Sequence, residues 1–356
     1  MKKFILLSVL LFSIVFKKNT QAQTIIPCPA DSINAWLTKN HVPAVAIGII
    51  EDGKIRSIKT YGELKKDTPA PLNALWNVAS LTKPVTAITV LSLVNKGLWN
   101  LDEPISKYYT DPDIKDDPRT AKLTTRILLS HSSGFPNWRN NDKSKKLNFH
   151  FEPGTQFGYS GEGYEYIRKA IEAKFHKPLQ QIAREDLFIP AEMTSTRYSW
   201  DNSLDSNLYA TPHNDKGTPY NNTKATRVIA ADWLITTIND YCKFGQYVIK
   251  QAGLSQKLFD DMTAIQTHFD TTAAAKTTGM GLGWQVLRDL PNNEYALVHS
   301  GSDDGVKTFI LVLPKSKRCI IIFTNGENGV KVETSILKGA KIDIEADLSK
   351  FIREFR

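Results

Sequence analysis

Residues that suit strands gather near the two ends of this chain, and that placement limits its possible folds more than any other feature. Residues 44–50 form an apolar, β-branched run, Asp52-Gly53 is a tight hairpin signal, and residues 55–61 can return as the partner strand. Far along the chain, residues 283–287, 295–299, 306–313 and 318–324 read as four short strands, the last two joined by Pro314-Lys315-Ser316-Lys317. Between them, from about 80 to 270, the patterns are mostly helical, with charge-rich loops at 111–118 and 140–146 that read as solvated connectors. A lone hairpin is marginal in water, so the strands of both ends are expected in one antiparallel sheet. The fold class is therefore α/β. Its sheet region is about 30–75 and 275–356, flanked by helices, and a mostly helical region of about 80–270 is inserted between the two parts. Asp31 or Ser32 can cap a short helix carrying Ile33, Trp36 and Leu37, and Leu348, Phe351, Ile352 and Phe355 make a helical stripe near the C-terminus. The cleft between the layers is where a site is to be sought.

Ahead of this region stands a leader: Lys2 and Lys3, an apolar run over 4–16, then Thr20-Gln21-Ala22 as a small-residue cleavage site. Residues 1–22 read as a signal peptide and 23–356 as the mature domain, periplasmic or secreted, or anchored if the signal is not cleaved, since Lys17 and Lys18 follow the run closely. The run is short of the roughly 20 residues that a membrane-spanning helix needs. Formal net charge is +8, but four lysines belong to the leader, so the mature chain carries about +4 and offers little electrostatic case for nucleic acid. With 41% hydrophobic and 23% charged residues, disorder, collagen and coiled coil are excluded. Cys28, Cys242 and Cys319 form no C-x-x-C pair, leaving one disulfide open and no structural zinc site. The seven histidines show no H-x-H or H-x-x-x-H spacing, so neither a metal nor another cofactor is expected.

The chemistry begins at Ser80-Leu81-Thr82-Lys83-Pro84. Residues 85–95 are apolar or small on nearly every face, which predicts a buried helix that Gly97 can end. Proline is tolerated only in the first turn, so 80–83 must be that turn, with unpaired N–H groups nearby. Ser80 and Lys83 are then i, i+3 neighbours, and an amine held partly desolvated against a hydroxyl can act as its base. The residues alone leave open a capping serine beside a solvated lysine.

Further segments carry a resemblance. Ser80-Leu81-Thr82-Lys83 resembles the S-x-x-K motif of the serine β-lactamase and penicillin-binding protein superfamily, and its surroundings are similar to the class C β-lactamase-related branch. Gly97-Leu98-Trp99-Asn100-Leu101-Asp102-Glu103-Pro104-Ile105 is similar to the segment after the nucleophile helix there. Ile127-Leu128-Leu129-Ser130-His131-Ser132-Ser133-Gly134 is similar to its histidine-containing loop. Tyr159-Ser160-Gly161 resembles the second motif, Y-x-N, and Gly281-Leu282-Gly283-Trp284 with His299-Ser300-Gly301 resembles the strand of the third, K-T-G or H-x-G. Together these cover about residues 30–330.

The resemblance implies roles. Ser80 would form an acyl-enzyme, with Lys83 and Tyr159 as the base system, and the N–H groups of Ser80 and Ser302 would form the oxyanion hole. Gly161, His299, Ser300 and Gly301 would line the substrate. His131 would be structural, held by a hydrogen bond in its loop. Two departures matter: the asparagine of Y-x-N is Gly161, and the third-motif lysine is His299, so amide and carboxylate recognition should both be weakened. Glu162 either stands in for the lost amide or faces solvent. The expected function is an exported serine hydrolase acting through an acyl-enzyme on a small ester, a D-amino-acid peptide or a β-lactam. The alternatives are a class C-like β-lactamase proper and a penicillin-binding sensor or scaffold that acylates without turnover.

Overall fold

The computed structural model describes residues 28–340 apart from 66, 222–223 and 271–275. The leader at 1–22 and the stripe from Leu348 to Phe355 lie outside the described residues.

Strands from both parts of the chain form one nine-stranded antiparallel sheet. The N-terminal part supplies β1 (Ala44–Glu51), β2 (Lys54–Lys65) and β3 (Thr68–Pro69). A separate two-stranded ribbon joins β4 (Trp76–Asn77) to β5 (Ile235–Thr236). The C-terminal part supplies β6 (Thr267–His268), β7 (Thr278–Met280), β8 (Gln285–Leu290), β9 (Glu294–Asp303), β10 (Val306–Leu313) and β11 (Arg318–Thr324). The order is β3-β2-β1-β11-β10-β9-β8-β7-β6, so the two parts meet where β1 pairs with β11, Val45 opposite Thr324 and Ile50 opposite Cys319.

The central strands are apolar on nearly every residue because both faces are covered. Val45, Ile47, Ile49, Phe309, Leu311, Ile320 and Ile322 pack with Ile33 and Leu37 of α1 (Ala30–Asn40) and with Val332 and Ile336 of α8 (Gly329–Gly339). On the other face Ala44, Ala46, Ile310, Val312, Ile321 and Phe323 meet the helical region, which includes α2 (Thr82–Asn95), α3 (Thr125–Leu129), α4 (Gly161–Phe175), α5 (Leu179–Ala183), α6 (Ile238–Ile249) and α7 (Gln256–Thr263). Residues 82–93 are all buried, as an all-round apolar helix requires.

Local details differ from the sequence reading. Helix α1 starts at Ala30 after Pro29 without a side-chain cap; Asp31 lies inside its first turn, where a negative charge suits the helix dipole. Strand β8 begins two residues later than expected because Gly283, at φ +85°, turns the chain. Strand β9 runs to Asp303, held by its register with β10. The loop after Thr110 is not simply solvated. Asp111 is buried and accepts hydrogen bonds from Arg139, Lys169 and the Tyr109 hydroxyl. All three cysteines are buried and none is bridged.

Candidate active site

Ser80 sits on a turn that four neighbouring segments fix. Residues Ala79–Leu81 form a tight 3₁₀ turn, and α2 continues directly from Thr82, which leaves Pro84 in the first helical turn where its missing N–H costs nothing. Ala79 adopts φ +47°, a left-handed conformation that costs a non-glycine residue on the order of 1 kcal/mol and persists only where the surroundings impose it. The surroundings do so here. Asn77 Oδ1 accepts from the Ala79 N–H at 2.9 Å, and the Thr82 hydroxyl donates to the Ala79 carbonyl at 2.6 Å. Thr308 of β10 donates to the Val78 carbonyl at 2.8 Å, Tyr241 of α6 donates to the Leu81 carbonyl at 2.7 Å, and the Leu234 N–H donates to Thr82 Oγ1 at 3.0 Å.

Lys83 points from the next turn of chain back to this serine. Its Nζ lies 3.1 Å from Ser80 Oγ and donates to the Ala231 carbonyl at 2.8 Å, and the residue is only 1% exposed. The half-buried Tyr159 presents its ring 4.7 Å from the same Nζ. Tyr159 precedes α4, whose N-cap Ser160 accepts from the Gly163 N–H at 3.0 Å. His131 stacks on the other side of Tyr159 at 4.3 Å between ring centroids, and its Nδ1 accepts from the Ser160 N–H at 3.1 Å. Burial, and then the charges of Lys83 and His299, hold the His131 imidazole well below its ordinary pKa. It is a neutral ring that carries its proton on Nε2 and braces the tyrosine.

The third segment is the end of β9. Strand β8 begins opposite Val298, so beyond that point β9 is paired with β10 alone among the described strands. Gly301 packs this edge onto the serine turn: a Cβ there would collide with the Thr308 hydroxyl and lie 2.5 Å from the Val78 carbonyl oxygen. Ser300 lies between Gly301 and His299, and the exposed Ser302 follows. His299 is 1% exposed, donates from Nδ1 to the Ser300 carbonyl at 2.9 Å, and has its ring 6.4 Å from that of Tyr159.

Gly161 has a steric reason. A Cβ there would lie 2.7 Å from the ring of Trp138, so the indole occupies the space an asparagine side chain would need. Glu162 does not face solvent. Its carboxylate is buried and accepts from the Arg139 backbone N–H at 2.9 Å and from its guanidinium at 2.9 and 3.0 Å.

One group escaped the sequence reading. Asp232, 9% exposed, follows the Ala231 carbonyl that holds Lys83. Burial raises its carboxyl to about 7, against the opposing pull of Lys83, and the nearby charge of Asp303 adds to the rise. Both aspartates line a cavity of about 500 Å³ together with Trp138, Trp233 and Glu162. A larger cavity of about 1020 Å³, beside α1, β2 and the 211–219 loop, touches none of the serine group.

The Beta-lactamase family model matches residues 23–339. Protein flp of Staphylococcus aureus (strain COL) is 23% identical over 320 residues, covering 81% of this chain and 61% of the relative, so the chain spans about three-fifths of that protein's length. Penicillin-binding protein 4* of Bacillus subtilis is 25% identical over 318 residues, 79% of this chain and 67% of the relative. Among solved structures, the octameric penicillin-binding protein homologue from Pyrococcus abyssi superposes with a TM-score of 0.72 at 20% identity, over 89% of this chain and 78% of that one. D-alanine carboxypeptidase AmpC from Burkholderia cenocepacia gives 0.69 at 19% identity, over 87% and 99%. A family match over nearly the whole described chain, together with this shared fold, establishes that the chain belongs to the beta-lactamase family.

Proposed function

We propose that the chain is an exported serine hydrolase that forms an acyl-enzyme on Ser80 and prefers simple esters to β-lactams. The observation that carries the reading is the 3.1 Å approach of a buried lysine amine to Ser80 Oγ on a strained, fully braced turn. Ser80 Oγ bonds to the substrate carbonyl carbon while its proton passes to the Lys83 and Tyr159 pair. The bond from that carbon to the leaving group then breaks, and the leaving group takes the proton. Water attacks the acyl-enzyme in the reverse sense and frees Ser80. The N–H groups of Ser80 and Ser302 serve the oxyanion, and the edge of β9 from Ser300 to Asp303 offers main-chain hydrogen bonds to an extended substrate.

The preference for esters follows from the two departures. With Trp138 in place of an asparagine side chain, no amide donor is available at Gly161, and the buried His299 stands where a lysine would attract a carboxylate. An ester needs neither contact. Export rests on the leader, and no helix among the described residues is long and apolar enough to cross a membrane.

The test is intact-protein mass spectrometry with a p-nitrophenyl ester and, separately, a fluorescent penicillin. The expected result is a transient ester adduct on Ser80 that clears, and an ester rate that falls by several orders of magnitude in Ser80→Ala. Turnover surviving in Ser80→Ala at more than a few per cent would refute the nucleophile. Fast penicillin turnover with poor ester turnover would identify a β-lactamase instead, and adducts that never clear would identify a sensor or scaffold.

A further inference from the structure

The cavity beside Lys83 is lined by as many carboxylates as cations, but two of its carboxylates have no cation against them. Asp232 and Asp303 both line it, and among the described residues no lysine, arginine or histidine nitrogen lies within 4.0 Å of either carboxylate. Among the described residues, the Asp232 carboxylate accepts only the N–H of its neighbour Trp233 at 2.8 Å, and that of Asp303 only the Asp304 N–H at 2.9 Å. Lys83 is committed to Ser80 and the Ala231 carbonyl, and Lys307, which donates to the Asp303 backbone carbonyl at 2.8 Å, pairs its charge with Glu327 at 2.8 Å.

Three of the four cations of the cavity wall are engaged with other carboxylates. Arg139 pairs with Asp111, Asp113 and Glu162; Arg168 pairs with Glu165 and Glu172; Lys169 pairs with Asp111. Arg227 is exposed. Asp111 shows the ordinary solution for a buried carboxylate, two cations at 2.9 and 3.2 Å. Asp232 is also buried, though less deeply, and lacks that solution as it opens on a space of about 500 Å³. The same space is walled by two indoles, Trp138 and Trp233, and Trp233 is held there at φ +66°. An aromatic face beside a carboxyl group that no cation contacts directly is the combination that attracts an organic cation.

We propose that this cavity receives a positively charged group of the substrate, seated between Asp232 and Asp303 against the two indoles, so that the preferred substrates are esters or amides bearing an amine or quaternary ammonium. The proposal rests on the serine hydrolase reading for its chemistry and on the cavity alone for its binding. The cation occupies the position left open near two carboxylates, and the adjoining Ser80 attacks the carbonyl of the same molecule.

Two measurements test it. In the first, the parent protein is titrated calorimetrically with tetramethylammonium chloride at constant ionic strength. Saturable binding is expected, weakened about tenfold or more in Asp232→Asn and in Asp303→Asn. Absence of saturable binding, or binding unchanged in both variants, would overturn the proposal. In the second, kcat/KM is compared for the p-nitrophenyl esters of 4-(trimethylammonio)butyrate and of its neutral isostere 5,5-dimethylhexanoate, each divided by its rate with hydroxide. The corrected ratio should favour the cation by about tenfold and fall toward unity in both variants. A ratio near unity in the parent, with the neutral ester still hydrolysed through Ser80, would sink the cation site and leave the hydrolase standing. If neither ester is turned over, the hydrolase reading has failed and the calorimetry decides the cavity.

Discussion

At the scale of single residues, Asp232 carries a measurable consequence of its burial. Its carboxyl is raised to about 7 in the folded protein, while an unfolded aspartate titrates near 4. A raised pKa means that the folded state holds the proton more tightly. This contribution is therefore fully present below about pH 4 and is lost as pH rises through 7, by about 4 kcal/mol. Asp232→Asn has no such titration and keeps an acceptor for the Trp233 N–H. Its stability relative to the parent should climb between pH 4 and pH 8, read from urea midpoints at both values, and a constant difference would mean that Asp232 titrates normally. Gly161 gives a second expectation. Gly161→Asn should destabilise the protein through its clash with Trp138, by about 1–3 kcal/mol, and Trp138→Gly should relieve that clash in the double variant, as a thermal-unfolding double-mutant cycle can show. Legibility at this scale was uneven. The approach of Lys83 to Ser80 could be read because Pro84 sets the phase of a helix and both residues lie within one turn of it. Asp232 could not, because Ala230-Ala231-Asp232-Trp233 has no period or motif, and only the folded loop brings it beside Lys83.

At the scale of elements, Arg139 ties three segments that no helix or strand connects. Its guanidinium joins Asp111 and Asp113 of one loop to Glu162 in the first turn of α4, and its backbone N–H binds Glu162 as well. Burial alone would raise the Asp111 carboxyl, but the hydrogen bonds and charge of Arg139, with Lys169 and the Asp113 N–H, hold it well below the usual range. Removing the arginine leaves buried carboxylates short of a partner, which costs more than the pair ever contributed. Arg139→Leu should lower stability by about 3 kcal/mol at pH 7, and the loss should shrink as pH falls and Asp111 protonates. Parallel thermal scans of parent and variant at pH 4.5 and 7 check this; an equal loss at both would assign the effect to packing. The sequence showed this loop only as charge-rich, and a solvated connector and a buried ion network have the same composition. Strands β10 and β11 were legible to the residue because both faces are buried and turn residues bound them, whereas β9 extends past its apolar run through pairing that no local pattern reveals.

At the scale of the whole molecule, the site belongs to the sheet and to the helical region at once. The serine turn is held by Thr308 from β10, by Tyr241 from α6 and by Leu234 from the chain between them. The sheet itself closes only where β1 meets β11, a pairing between residues some 280 positions apart. Neither region can therefore melt while the other keeps the serine turn in place. The face of β1, β10 and β11 that meets α2 and α6 would also be exposed if the helical region came away, at about 25 cal/mol for each Å² of apolar surface. Such a cost favours one cooperative transition over two. In a urea titration, the loss of ester hydrolysis, the far-ultraviolet helix signal and tryptophan fluorescence should share one midpoint, the last reporting Trp76, Trp99 and Trp284 inside the same core. Loss of activity at clearly lower urea, with helix signal intact, would show instead that the sheet and the inserted helical region are separate folding units and that the turn between them is their weakest joint.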